Sequence, residues 1–211
     1  MIQSSDLVLR LSGGSSNSDP RAGDRYRIAA IDPGTHRLGL TFLDIDLSQS
    51  ERKLIVTDVF THRGEKLLAN SSWYIDQYGE ALGMRQAHLD NLKQQFELYQ
   101  PNCVISEAPY LGRLPAAFRA LVEMIAIIRQ AAWETDRRLL LETVDPPTVK
   151  KAVGTKGKDK EDVRRGLARQ EFLSWECPAT LAELDEHSCD AIAVGVWKFK
   201  QLMGMADNAT R

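Results

Sequence analysis

Three well-separated acids stand where short apolar runs, or one helix, could deliver them to a common place. Asp32 closes the run Arg27-Ile28-Ala29-Ala30-Ile31-Asp32 and is followed at once by Pro33-Gly34-Thr35. A turn there holds the carboxylate at a strand end, and the glycine lets a ligand approach closely. Glu107 closes a second run, Asn102-Cys103-Val104-Ile105-Ser106-Glu107. Far along the chain comes Asp185-Glu186-His187-Ser188-Cys189-Asp190. On a helix His187 and Asp190 share a face, as do Glu186 and Asp190. Oxygen-rich groups converging from separate elements suit two divalent cations of the magnesium or manganese type. Two such ions, about 3.5–4 Å apart, promote phosphodiester hydrolysis. Each residue also has a plainer use. Asp-Pro-Gly-Thr makes a hairpin turn, Asp185 or Glu186 caps a helix, and His187 serves as a polar surface residue. The ordered set is what favours a site.

A second kind of chemistry lies between Lys150 and Arg169, where eight basic residues face three acidic ones. Such a run usually marks a solvated helix face. Here Lys156, Lys158 and Lys160 fall in a glycine-containing loop, with Lys150 and Lys151 just before it. That placement suits contact with a phosphate backbone, which supplies affinity and salt dependence rather than sequence reading. Tyr110 and Leu111 follow Glu107 closely, and an exposed aromatic there could stack on an unpaired base. Phe118 fits a core stripe better.

The elements that must position these groups are readable from period. Arg27–Asp32, Leu38–Ile45 and Leu54–Phe60 read as three strands with short connections, hence an antiparallel meander. Thr61–Asn70 reads as an exposed polar connection containing Gly64. From Ser72 to Tyr99 the spacing of Ile75, Tyr78, Leu82, Leu89, Leu92, Phe96 and Tyr99 predicts a long amphipathic helix, weakened at Gly79 and Gly83. Asn102–Glu107 is a fourth strand. A helix starts at Pro115 with Phe118, Leu121, Val122, Ile125, Ile128 and Ala132 as its stripe. Arg138–Val144 is a fifth strand, and helices follow over Glu161–Phe172 and Asp185–Met203. The expected fold class is α/β, a five-stranded mixed sheet (three antiparallel strands, then two parallel) flanked by helices.

The chain of 211 residues is long enough for one full core, and a net charge of -2 gives no global sign of nucleic-acid binding. Cys103, Cys177 and Cys189 are widely spaced, which argues for a reducing compartment and against a disulfide framework. No run reaches membrane-span length. Residues 1–24 lack a signal-peptide core and read as a flexible extension, 25–205 as the folded domain, and 206–211 as a flexible tail. The expected location is cytoplasmic, in a bacterial or phage-infected cell.

These pieces together resemble the RuvC-type Holliday-junction resolvases of the RNase H-like superfamily. The resemblance rests on Ile31-Asp32-Pro33-Gly34-Thr35, Ile105-Ser106-Glu107, Pro147-Thr148-Val149-Lys150-Lys151-Ala152-Val153-Gly154, Lys160-Glu161-Asp162-Val163 and His187-Ser188-Cys189-Asp190-Ala191-Ile192-Ala193-Val194. It extends from about Arg27 to Lys200. It implies an RNase H-like fold, a homodimer, and magnesium-dependent paired nicking of four-way DNA junctions, with manganese as a substitute. It further implies that Asp32, Glu107 and Asp190 are metal-binding carboxylates and that His187 is a ligand or positions the attacking water. Lys150 and Lys160 correspond to positions that contact the DNA backbone. Residues 1–24 have no family counterpart, and Thr61–Gly83 is longer than the usual connection. Tyr110 is the nearest candidate for a junction-opening aromatic, in a segment altered by Pro109 and Leu114-Pro115. Such departures mark a divergent member, with a phage origin left open.

The leading expectation is therefore a metal-dependent, structure-specific DNA endonuclease of the recombination and repair type. One alternative is an RNase H-like nuclease acting on flaps, forks or other branched nucleic acid. Another is a junction binder that has lost catalysis. A sugar-kinase or actin-like ATPase would need a second similar domain, for which the chain has no room.

Overall fold

In the computed structural model, residues 24–69, 73–110, 115–155 and 160–205 are described, without the side chain of Lys160. The elements run β1 (Arg25–Asp32), β2 (Arg37–Asp46), β3 (Leu54–Arg63), α1 (Gly64–Ala69), α2 (Trp73–Tyr99), β4 (Cys103–Glu107), α3 (Pro115–Thr135), β5 (Leu141–Val144), α4 (Pro146–Ala152), α5 (Lys160–Ala168), β6 (Leu173–Trp175) and α6 (Glu186–Leu202). One sheet carries the strands in the order β5-β4-β1-β2-β3-β6. The β1-β2 and β2-β3 pairs are antiparallel, and β1-β4, β4-β5 and β3-β6 are parallel. Among the described residues, no helix is long and apolar enough to cross a membrane.

Both faces of the sheet are covered, which explains why β1 reads as a continuous apolar run rather than an alternating one. Ile28, Ala30, Leu43, Ile45 and Val56 pack on one face against Ile192, Val196 and Phe199 of α6. Ala29, Ile31, Leu40, Phe42 and Val104 pack on the other, against Leu89, Leu92 and Phe96 of α2 and Met124 and Ile128 of α3. The approach of α6 is unusually close, because small residues line it. A Cβ on Gly39 would lie 2.1 Å from the His187 carbonyl oxygen, and one on Gly195 would lie 2.4 Å from Leu43 Cδ1. Side chains at either place would lift α6, and with it His187 and Asp190, off the sheet.

Four expectations need correction. The sheet has six strands, not five: β6 is only Leu173–Trp175, just past the helix expected to run to Phe172, which itself ends at Ala168. Three residues carry no period, and only pairing with Leu54–Val56 of β3 makes them a strand. β5 begins at Leu141 rather than Arg138. The described part of the expected exposed connection Thr61–Asn70 is structured: Thr61–Arg63 extend β3, and α1 follows with Gly64 and Leu68 buried. Finally, α2 is broken at Gly79, whose φ of 73° is left-handed. The break turns the apolar stripe away, so Ile75, Tyr78 and Leu82 are exposed while Leu89, Leu92 and Phe96 are buried. The expected tails, Leu111, Leu114, Lys156 and Lys158 lie outside the described residues.

Candidate active site

The parallel pairing of β1 with β4 brings the first two acids together. The last paired residues are Ile31 and Ser106, so Asp32 and Glu107 emerge side by side, one residue further on. The turn after Asp32 is held tightly, as a Cβ on Gly34 would lie 2.1 Å from the Arg37 carbonyl oxygen. α6 crosses the same edge. Asp185 caps it, accepting from the Ser188 N–H (2.9 Å) and from the Thr61 hydroxyl (2.8 Å). The His187 imidazole then reaches Asp32, with Nδ1 2.8 Å from Oδ2 across 155 residues of sequence. Asp190 lies one turn further along α6, and Lys150 of α4 stands close enough for its charge to act on Glu107 and Asp190.

Electrostatics shows how tightly the carboxylates are gathered. Burial, followed by the charges of Asp32 and Asp190, pushes Glu107 up to about 8, with Lys150 opposing. Burial and then the Asp32 charge push Asp190 up to about 6. Asp32 is also raised by burial, against the His187 hydrogen bond. The same bond raises His187, so a proton between Nδ1 and Oδ2 is favoured. Acids that are buried together, with the Asp32 charge raising the proton affinity of both Glu107 and Asp190, would equally gain from a cation placed between them.

Among the described residues, no group of three or more His, Cys, Asp or Glu side chains is arranged to hold a metal ion. Asp32 Oδ2 is engaged by His187 instead. The donor chemistry nevertheless fits a hard divalent cation: carboxylate oxygens from two strand ends and a helix, in mutual repulsion and without thiolates. Asp185 is committed to its capping bonds, which hold its pKa low although burial opposes. Glu186 lies 3.7 Å from His187 Nε2.

The other expected residues are more scattered. Lys150 is half-buried and Lys151 exposed, both on α4, whose cap Asp145 accepts from the Thr148 N–H at 3.0 Å. Lys160 begins α5. Tyr110 is 64% exposed, three residues past Glu107, on a segment tied by the Ala108 N–H to the Val144 carbonyl (2.7 Å). Sequence reasoning missed Thr61, which also lies 2.8 Å from the Ser188 hydroxyl and seats the start of α6. No local signal marks it, because its importance follows from its pairing opposite Gly39.

A buried layer supports the Asp32 turn from behind. His88 of α2 is wholly buried and donates from Nε2 to the Thr35 carbonyl oxygen at 2.8 Å. The Gly64 N–H donates to the His36 carbonyl oxygen (2.9 Å), and a Cβ on Gly64 would lie 2.3 Å from that of Thr35. His62 stacks on Phe60, with its pKa lowered to about 4 by burial and then by His88. A histidine held neutral in the fold is a liability in acid. The unfolded chain binds the proton first, so stability is full above about pH 6.5 and falls as pH drops toward about 4. At pH 5 the loss is roughly 2 kcal/mol. Urea denaturation at neutral pH and at pH 5 should show that loss in the wild type and a smaller one in His62→Leu. Equal losses in both would sink the assignment to His62.

No model of a known protein family matches the chain, and no curated protein matches it. Solved structures do. RuvC of Thermus thermophilus aligns with a TM-score of 0.61 and 19% identity over 85% of this chain and 98% of that one. The same protein in complex with a Holliday junction substrate gives 0.57 and 20%, with the same coverage. The yeast mitochondrial Holliday junction resolvase Ydc2 gives 0.55 and 12% over 97% of both chains. The chain therefore has the RuvC-type resolvase fold.

Proposed function

We propose that the protein is a metal-dependent endonuclease that resolves four-way DNA junctions by paired nicking. The observation that carries the reading is the meeting of Asp32, Glu107 and Asp190 at one sheet edge, where burial, and then the charges of Asp32 and Asp190, push Glu107 up to about 8. Isolated surface acids do not behave so. Three carboxylates would hold magnesium, with manganese as a substitute. Bound there, two divalent cations supply a low-pKa water and charge neutralisation at the phosphate.

The chain's own residues do the rest. His187, through Nδ1, orients the Asp32 carboxylate. Thr61 and Asp185 seat the α6 terminus that carries His187 and Asp190. Lys150 brings positive charge beside the acids, where a phosphate must enter, and Lys151, next to it on α4, extends that attraction along the strand. Tyr110, exposed beyond Glu107, would stack on a base freed at the branch. Paired nicking calls for two sites, hence a homodimer. The exposed Ile75, Tyr78 and Leu82 of α2 offer apolar surface for it.

The test is cleavage of a labelled mobile four-way junction with magnesium, beside duplex, flap and fork. Symmetric nicks on the junction alone are expected, absent when the divalent cation is chelated. Preferential cutting of flaps or forks would move the function to another branched substrate. Binding without cutting in either metal would make the acid cluster a relic.

A further inference from the structure

A second basic surface flanks the acids, on the side away from Lys150. Arg37 opens β2 and Arg63 closes β3, and the two are direct cross-strand partners. Like charges placed directly opposite are destabilising, so the pairing works against the fold rather than for it. Both side chains are exposed, and no hydrogen bond or ion pair holds either guanidinium among the described residues. Glu65 is the nearby acid on which Arg37's charge acts, and its carboxylate is taken by His36 Nδ1 at 2.6 Å.

Sheet register gives the pair its direction. Arg37 shares a face with Gly39, against which the His187 carbonyl packs, and with Leu43 beneath α6. Arg63 shares that face with Thr61, which bonds to Asp185 and Ser188 of α6. Asp32 is on the same face, in register with Gly39. The arginines therefore project on the side of the acids. They lie one and two strands from β1, about 5 and 10 Å across, and about 7 Å beyond the row of Asp32. Along this edge the order is Glu107 on β4, Asp32 on β1, Arg37 on β2 and Arg63 on β3, while Lys150, whose charge acts on Glu107, is on α4, which follows β5 at the far end of that row.

We infer that Arg37 and Arg63 form a second phosphate-binding arm, which grips the DNA backbone one or two nucleotides from the cleaved bond, opposite the Lys150 arm. A strand held only by the lysine side could pivot over the acids, whereas a grip on both sides lays the scissile phosphate across them. Two adjacent guanidinium forks suit phosphate oxygens better than ammonium groups would. Phosphates also supply the negative charge that the cross-strand pair lacks.

The inference rests on the proposed junction nuclease, so the experiment separates the two. Binding of a fluorescent four-way junction is measured by anisotropy without divalent cation, over a potassium chloride series. The proteins are wild type, Arg37→Gln, Arg63→Gln, the double variant, and Arg37→Lys with Arg63→Lys. Each single Gln change should weaken binding several-fold and the double change at least about tenfold. The slope of log affinity against log salt should fall by about one per arginine removed. The lysine pair should keep the slope and lose only part of the affinity. Removing a like-charge pair should leave the melting temperature unchanged or slightly higher, which distinguishes lost contact from misfolding. A folded double variant with wild-type affinity and slope, beside a wild type that binds and cuts, would overturn the arginine arm alone. A wild type that binds no branched DNA would overturn the nuclease reading and the arm with it.

Discussion

Asp32→Asn should lower junction cleavage by about a thousandfold or more while leaving junction affinity within about twofold. Outer partners of a metal-binding group are commonly worth about 10–100-fold, and a central ligand should exceed that. Asp32 is central on two counts: its charge acts on both Glu107 and Asp190, and it takes the His187 bond. The amide keeps the shape and can still bond to His187, but it removes a negative charge from the cluster. A side effect follows. With less repulsion, the variant should melt at a slightly higher temperature than the cation-free wild type, and magnesium should raise its melting temperature less. Cleavage, anisotropy and melting on the same preparations check all three. An Asp32→Asn protein that cuts at wild-type rate would remove Asp32 from the chemistry, and Glu107→Gln and Asp190→Asn would then show which acids remain.

The second large effect concerns the opposite end of β1. Asp44 of β2 is wholly buried and is held bidentately by Arg27, at 2.7 Å from Nε and 2.8 Å from Nη2, with Arg25 3.5 Å away. Arg27 also donates from Nη1 to the Tyr99 carbonyl oxygen at 3.0 Å, tying the end of α2 to the sheet. Arg27→Met leaves Asp44 in the interior with only Arg25 near it. Breaking a buried pair from one side costs about 3–5 kcal/mol, because the remaining charge is uncompensated. For a domain of this size that lowers the melting temperature by about 10 °C. Adding Asp44→Leu to Arg27→Met should recover much of the loss, since an apolar pair needs no solvation. Cleavage at low temperature should survive in both, because Arg27 sits about 17 Å along β1 from Asp32. A single-variant loss below about 1 kcal/mol would mean that water or Arg25 compensates Asp44.

The carboxylates are legible in the amino-acid sequence itself. An apolar run that ends in an acid and a tight turn is a local pattern, so Asp32 and Glu107 stood out, and i, i+3 spacing put His187 and Asp190 on one helical face. The antiparallel pairing of the first three strands also follows from their short connections. By contrast, β6 exists only because Leu54–Val56 is there to pair with three residues that carry no period of their own. Gly79 is a weak point in its helix by residue type alone, but that it breaks the apolar stripe depends on the conformation adopted there.

The same division runs through the site. Residue types and spacing determined which groups could bind a cation. Tertiary structure decided that His187 meets Asp32, that Thr61 seats α6, and that Arg37 lies beside Arg63 on the face of the acids. Each of those depends on strand register or on how closely α6 approaches Gly39. A one-residue slip in register would send the arginines and Thr61 to the other face. Register is set by the packing of both sheet faces at once, and that is a property of the whole chain rather than of any stretch of it.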